Sequence, residues 1–260
     1  MARIAGNKGL PQQAVHLPGG IMRAPYGLEV IENCAECKLR CDDFFCDLPP
    51  DVLKHFESLK YATVFPKGAI LFVEGQSPRG IFMLCSGRVK LSSCSASGRT
   101  IITHIAQAGE VLGLSAVVSG APYEVTAETL VPCQVNFIKE GDFMKFLSEK
   151  TAACLRVAQH LSNAYRLASE QLRSLALSES TTEKLANLIL GWCELEGKQT
   201  ERGISLKVTL THEEIAQSIG SSRETVTRLL GDLKNRRIIS IKGSTMIVPD
   251  RASLERLSGR

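Results

Sequence analysis

The stretch Leu210-Thr-His-Glu-Glu-Ile-Ala-Gln-Ser-Ile-Gly-Ser-Ser-Arg-Glu-Thr-Val-Thr-Arg-Leu-Leu230 decides how this chain is read. Thr211 with Glu214 three residues on has the form of a capping box, in which hydroxyl and carboxylate each satisfy an orphan backbone N–H, so a helix opens there. Ile215, Ala216 and Ile219 form its apolar side, and Gly220 breaks it. Ser221 with Glu224 reads as a second box. It opens a second helix with Val226, Leu229, Leu230 and Leu233 on the buried side. Two short helices joined by a tight glycine-containing turn predict a helix-turn-helix. The exposed N-terminal face of the second helix carries Ser222, Arg223, Glu224, Thr227 and Arg228. That end enters the major groove in such motifs. Arginine donates two hydrogen bonds to guanine O6 and N7, and glutamate accepts from cytosine N4. Alone, Glu224 reads as a cap and either arginine as solvated; together on one face they point to DNA. Ile238–Ile241, the turn at Lys242-Gly243-Ser244, and Thr245–Val248 read as a hairpin, which makes a winged helix with Lys242 as a phosphate contact.

The charge pattern agrees with this. Net charge is only +4. Between Ser221 and Lys242, however, Arg223, Arg228, Lys234, Arg236, Arg237 and Lys242 face only Glu224 and Asp232. Such a local basic stretch suits phosphate contact, and otherwise it is a solvated helix face. At 260 residues the chain is long enough for two cores. No apolar run approaches the ~20 residues of a membrane span. No apolar block follows the first basic residues, so a secretory leader is not expected, and the predicted compartment is the cytoplasm.

Upstream, the texture divides the chain. Residues 1–33 are rich in glycine and proline and read as a mobile tail. Residues 34–140 hold a cysteine segment, a short helix through Val52, Leu53, Phe56 and Leu59, and then short apolar segments punctuated by Gly68, Gly75, Gly80, Gly87, Gly98, Gly109, Gly113 and Gly120. Short strands with regular turn signals predict a jelly roll. Residues 141–177 lose that punctuation and read as one long helix. Its seam, with Cys154, Ala158, Leu161, Tyr165, Ala168 and Leu172, suits packing on a partner helix or covering the chain's own β-domain. Residues 178–260 form the winged-helix domain. The predicted class is α+β: a β-roll, a long dimerisation helix and a winged helix-turn-helix.

Nine cysteines is many for a reducing compartment. Cys85, Cys154 and Cys193 lie among apolar residues and read as buried small hydrophobes. Cys34, Cys37, Cys41 and Cys46 do not. Such a cluster is a site for an iron–sulfur centre, for zinc, or for reversible thiol oxidation. The five histidines show no ligand spacing, and nothing marks a substrate site, so an enzyme is not expected.

The order of elements resembles the CRP/FNR family of bacterial transcription regulators over residues 46–257. The likeness rests on Pro66-Lys-Gly68, Glu74-Gly75, Gly87-Arg-Val-Lys90, Gly109-Glu-Val-Leu-Gly113 and the helix-turn-helix string. The resemblance implies a cyclic-nucleotide-binding-like β-roll, a homodimer, double-stranded DNA with a palindromic site, and RNA polymerase as a partner. In the cyclic-nucleotide branch an Arg-Ser pair holds the phosphate. That pair falls here at Tyr123 and Glu124, which speaks against cyclic AMP. In the FNR-like branch three N-terminal cysteines and one from the β-roll hold a [4Fe–4S] cluster. The corresponding set here is Cys34, Cys37, Cys46 and Cys133, with Cys41 as the alternate. Cys41 lies within a Cys37–Cys46 gap longer than in the best-known members, and all four N-terminal cysteines are a further possible set. Glu224 and Arg228 match family positions that read a GA core, which implies a half-site between TGTGA and TTGAT. The expected signal is oxygen, nitric oxide or redox state. Zinc or thiol sensing, haem sensing and an electron-transfer enzyme are the competing readings.

Overall fold

The computed structural model describes residues 25–28, 30, 33–37, 45–178 and 180–259. The chain divides into two compact units, one of residues up to 91 with 105–164, the other of 92–104 with 165 onward.

Eight strands make up the β-roll, six of them wholly within the first unit: β1 (Tyr61–Phe65), β2 (Ile70–Phe72), β3 (Gly80–Ser86), β4 (Val89–Cys94), β5 (Thr100–Ala106), β6 (Val111–Leu112), β7 (Thr126–Thr129) and β8 (Cys133–Lys139), with the 92–104 ends of β4 and β5 in the second. They form two sheets, ordered β1-β8-β3-β6 and β2-β7-β4-β5. Helix α1 (Pro50–Leu59) precedes them, α2 (Leu114–Ser119) follows β6, and α3 (Glu140–Glu149) and α4 (Thr151–Leu177) follow β8. Successive side chains on a strand point to opposite faces. On β3, Phe82 and Leu84 therefore join Phe72, Val89, Ala127, Cys133 and Val135 in the core between the sheets. Ile81 and Met83 point the other way, into a second core with Phe56, Phe143, Phe146 and Val157 from the helices. Because both faces are covered, β3 reads Ile-Phe-Met-Leu-Cys without alternation.

The helix expected over 141–177 is two helices. Lys150 is extended (φ −130°, ψ 92°) and separates α3 from α4. Phe143, Phe146 and Leu147 of α3 are buried in the chain's own core, which fixes that turn independently of α4. Cys154, expected to be buried, is exposed; its thiol donates to the Leu147 carbonyl at the break.

The second unit carries α5 (Thr181–Glu196), β9 (Lys198–Thr200), β10 (Gly203–Lys207), α6 (His212–Ile219), α7 (Arg223–Asn235), β11 (Ser240–Lys242), β12 (Thr245–Val248) and α8 (Arg251–Leu257). Its sheet runs β11-β12-β10-β9. Leu185 and Ile189 of α5, Ile215 of α6, Val226 and Leu230 of α7 and Met246 and Val248 of β12 share one core. β9, β10, α2 and α8 are not among the elements expected from the residues. β9 is three exposed polar residues, and α8 is a seven-residue helix held by an Asp250 cap.

Candidate functional site

The helix-turn-helix forms as expected at its first end and one residue later at its second. On α6, Thr211 Oγ1 accepts from Glu214 N–H, while Glu214 Oε2 accepts from Thr211 N–H at 2.8 Å, a complete capping box. Gly220 takes the left-handed conformation (φ +64°), and Ser221 N–H donates back to the Ala216 carbonyl at 2.9 Å. That bond seals the end of α6 and occupies the Ser221 N–H that a reciprocal box with Glu224 would need. The cap of α7 is therefore Ser222, whose hydroxyl accepts from Thr225 N–H at 3.2 Å; the expected Ser221–Glu224 box does not form. Glu224 is left to point outward. Removing an N-cap hydroxyl costs about 1 kcal/mol. Ser222→Ala should lower stability by ~1 kcal/mol in urea unfolding while Ser221→Ala changes it little; the reverse ranking would place the cap at 221.

Ser222, Arg223, Glu224, Thr227 and Arg228 are all exposed, and the opposite side of α7 is buried through Val226, Leu229, Leu230 and Leu233. Thr227 is already engaged. Its hydroxyl donates to the Arg223 carbonyl at 2.9 Å and lies 2.9 Å from His212 Nδ1 of α6. It therefore offers a base edge its methyl group and a lone pair. Lys242 is exposed at the end of β11, beside a two-residue turn at Gly243 (φ +60°) and Ser244.

The cysteines separate onto two sides of one sheet. Cys34 and Cys46 are buried in the helix-covered core with Phe45, Ile81 and Met83. Cys37 is half-buried, and Cys41 lies outside the described residues. Asn33 shapes the first turn, its side-chain oxygen accepting from Ala35 and Glu36 N–H. Glu57 of α1 accepts from Cys34 N–H at 2.8 Å. Lys60, only 6% exposed, places its ammonium 3.0 Å from Cys34 Sγ and 3.8 Å from Glu57. Cys46 is held on both flanks. Phe45 packs on Phe56, Phe143 and His160, and Asp47 accepts from Arg156 of α4 through both its carboxylate and its carbonyl. Burial lowers the His160 pKa, which favours the neutral ring beside Phe45.

Cys133 is not with them. It is fully buried between the two sheets, its thiol 3.1 Å from the Val131 carbonyl and 3.4 Å from that of Arg88. Gly87 faces it so closely that a Cβ there would lie 2.5 Å from the sulfur. Burial pushes this thiol up to about 11. The expected set of Cys34, Cys37, Cys46 and Cys133 is thus not brought together. The physical reason is strand parity: Cys133 shares the inner face with Val135, whereas the N-terminal cysteines cover the outer one.

The cysteine that does face the N-terminal group is Cys85, which the sequence reading sets aside as a small hydrophobe. Its thiol is pushed up to about 12, first by burial and then by the neighbouring Cys34, Cys46 and Cys37, with Lys60 opposing. Among the described residues, no three His, Cys, Asp or Glu side chains stand in a preformed metal-binding group. The side chains present would suit a thiolate centre: soft sulfur donors, a buried cation that could offset their charge, and an orphaned amide at Asn136 on the same sheet face. The alternation Ile81, Met83, Cys85 was the available signal for Cys85.

Two families match this chain, a cyclic nucleotide-binding domain over residues 62–150 and a Crp-like helix-turn-helix domain over 183–257. It is 29% identical to the global nitrogen regulator of Synechococcus elongatus over 68% of this chain and 80% of that protein. It is 25% identical to the fumarate and nitrate reduction regulatory protein of Yersinia pestis over 74% and 76%. Among solved structures, a CRP-family transcriptional regulator from Thermus thermophilus superposes with a TM-score of 0.64 at 25% identity, covering 76% of this chain and 96% of that one.

Proposed function

Because the chain belongs to the CRP/FNR family of transcription regulators, we propose that it is an FNR-like member that reports oxygen, nitric oxide or redox state to DNA through a cysteine-bound [4Fe–4S] cluster. One observation carries the proposal. Cys34 and Cys46 lie buried in one core, Cys34 beside the Lys60 ammonium, and with Cys37 they bear on the thiol of Cys85. Cys34, Cys37 and Cys46 are the N-terminal ligands in this reading. A bound cluster would supply an iron–sulfur centre held by these thiolates, open to loss on oxidation.

The chain's own residues provide a route from that segment to α4. Phe45 and Asp47 flank Cys46, and they contact His160 and Arg156, one turn apart on α4. A change in how residues 34–46 are held therefore acts on the N-terminal half of that helix. The exposed side of α4 carries Cys154, Ala158, Tyr165, Ala168 and Leu172, with Leu161 half-buried beside the core. Tyr165 is 78% and Leu172 67% exposed, large apolar surface that a second copy would cover. In the dimer, Arg223, Glu224, Thr227 and Arg228 read each half of a palindrome with a half-site between TGTGA and TTGAT. Ser222 and Lys242 contact phosphates, and bound dimer meets RNA polymerase in the cytoplasm. Among the described residues, no helix is long and apolar enough to cross a membrane.

Cyclic AMP is not the effector in this proposal. Tyr123 stacks on Phe72 at 4.1 Å and donates to the Gly80 carbonyl at 2.8 Å, filling the interior of the roll, while Glu124 adds a carboxylate. The test is anaerobic reconstitution of the full chain. Iron and sulfide in equal amounts, a broad visible thiolate-to-iron absorption, and DNA affinity that changes on exposure to air are expected. Zinc with no sulfide, a haem spectrum, or affinity indifferent to air would each overturn it.

A further inference from the structure

We infer that Cys85, on the outer face of the β-roll, is the thiolate that completes the set with Cys34, Cys37 and Cys46, and that Cys133 is a packing residue. This rests on the proposal that the N-terminal cysteines bind a metal centre, and it names the fourth ligand.

Three features of β3 and its neighbours lead there. First, β3 is irregular at this residue. Leu84 pairs with Val135 and Ser86 with Gln134, so Cys85 is the extra residue of a β-bulge. A bulge sets two residues against one, bends the strand and re-aims a side chain. Here Cys85 and Ser86 together oppose Gln134, on the face that Met83 and Asn136 also occupy. Second, backbone bonds bring the two segments to one place. Phe45 N–H donates to the Gly109 carbonyl at 3.3 Å, and Gly109 N–H donates to the Leu84 carbonyl at 2.7 Å. The residue before Cys46 and the residue before Cys85 are thus tied to the same glycine. Third, one buried amide on this face has no hydrogen-bond partner. Asn136 is 1% exposed, and neither its amide nitrogen nor its oxygen has a hydrogen-bond partner. An unpaired buried amide costs about 1–3 kcal/mol, so it calls for an acceptor or donor. It pairs across the sheet with Met83 on one side and Ala62 on the other, which sets it between Cys85 and the start of β1, where Lys60 ends α1. A sulfur-rich anionic centre supplies acceptors for the amide, and its charge is offset by the Lys60 ammonium.

Cys133 offers none of this. Its sulfur is closed in by the Val131 and Arg88 carbonyls and Gly87, on the far side of the sheet. To reach the N-terminal cysteines its side chain would have to cross to the other face of the sheet it belongs to.

The full chain and its Cys85→Ser, Cys85→Ala, Cys133→Ala and Cys133→Ser variants are reconstituted anaerobically with iron and sulfide, and separately loaded with Co(II), whose thiolate absorption scales with the number of sulfur ligands. Far-ultraviolet circular dichroism checks that each folds. Both Cys133 variants are expected to keep the parent iron and sulfide content. Both Cys85 variants are expected to lose most of it and to lose about a quarter of the Co(II)–thiolate intensity, one sulfur of four. A folded Cys133→Ala chain that loses the cluster while Cys85→Ala keeps it overturns the assignment, as does retention by all four. A parent chain that takes Co(II) on four thiolates but forms no cluster, with one thiolate lost in the Cys85 variants, would refute the iron–sulfur proposal and leave Cys85 in place. Co(II) absorption unchanged in both Cys85 variants refutes Cys85 whatever the metal, and a parent that binds neither metal refutes both claims.

Discussion

Phe45→Ala should destabilise the protein by about 3–5 kcal/mol, the largest effect expected of any single substitution proposed here. The ring is fully buried, with centroids 5.7 Å from Phe56, 6.1 Å from Phe143 and 5.5 Å from His160. These neighbours belong to three helices, so the void cannot close by moving one of them. The cost therefore includes a cavity term beyond the lost transfer energy. The same change removes the anchor beside Cys46. Urea unfolding should show the loss in midpoint, and the folded variant should hold less iron than the parent at equal protein. A stability change under about 1 kcal/mol would mean that the ring is not packed as described. Normal stability with lost iron would assign Phe45 to the site alone.

Arg228→Ala should weaken binding by about 1–3 kcal/mol on the preferred half-site and flatten the preference at one base pair. Arg228 is exposed, and Leu229 and Leu230 beside it carry the packing of α7. The folded state should accordingly be unaffected, which separates this result from an unfolding effect. Lys242→Ala is the control. A phosphate contact loses affinity equally on all sequences and lowers the salt dependence by about one counterion. Competition binding across single-base variants of the site, at fixed salt, distinguishes the two patterns. An equal loss on every sequence for Arg228→Ala would reassign it as a backbone contact.

Much of the architecture was legible in the residues. Glycine spacing marked the β-roll, and Thr211 with Glu214 marked the start of the helix-turn-helix, because turns and caps are local chemistry. What failed was decided by tertiary packing. The break at Lys150 has no proline or glycine to announce it; it follows from burying Phe143 and Phe146 on the outer face of a sheet. The Ser221–Glu224 box does not form because the end of the preceding helix takes the Ser221 N–H, and the Ser222 hydroxyl is the cap. The proposed thiolate set is half legible in the sequence. Cys34, Cys37 and Cys46 stand out by clustering, but the face on which a β-roll cysteine emerges depends on register. Register was invisible at β3, where a single bulged residue resets it. Asn136 and Lys60 carried no signal, since one looks like any strand polar residue and the other like any surface lysine.

The hydroxyl of Thr227 ties α7 to the first residue of α6 and to its own backbone. This divides the recognition surface by how freely it can evolve. Arg223, Glu224 and Arg228 are exposed side chains whose replacement, on the proposed reading, would alter readout and leave the core of the domain untouched. Thr227 serves both tasks, so a mutation there changes sequence preference and the seating of the two helices together. Divergence toward new operator sequences should accordingly accumulate at positions 223, 224 and 228 first, with position 227 changing late and together with His212.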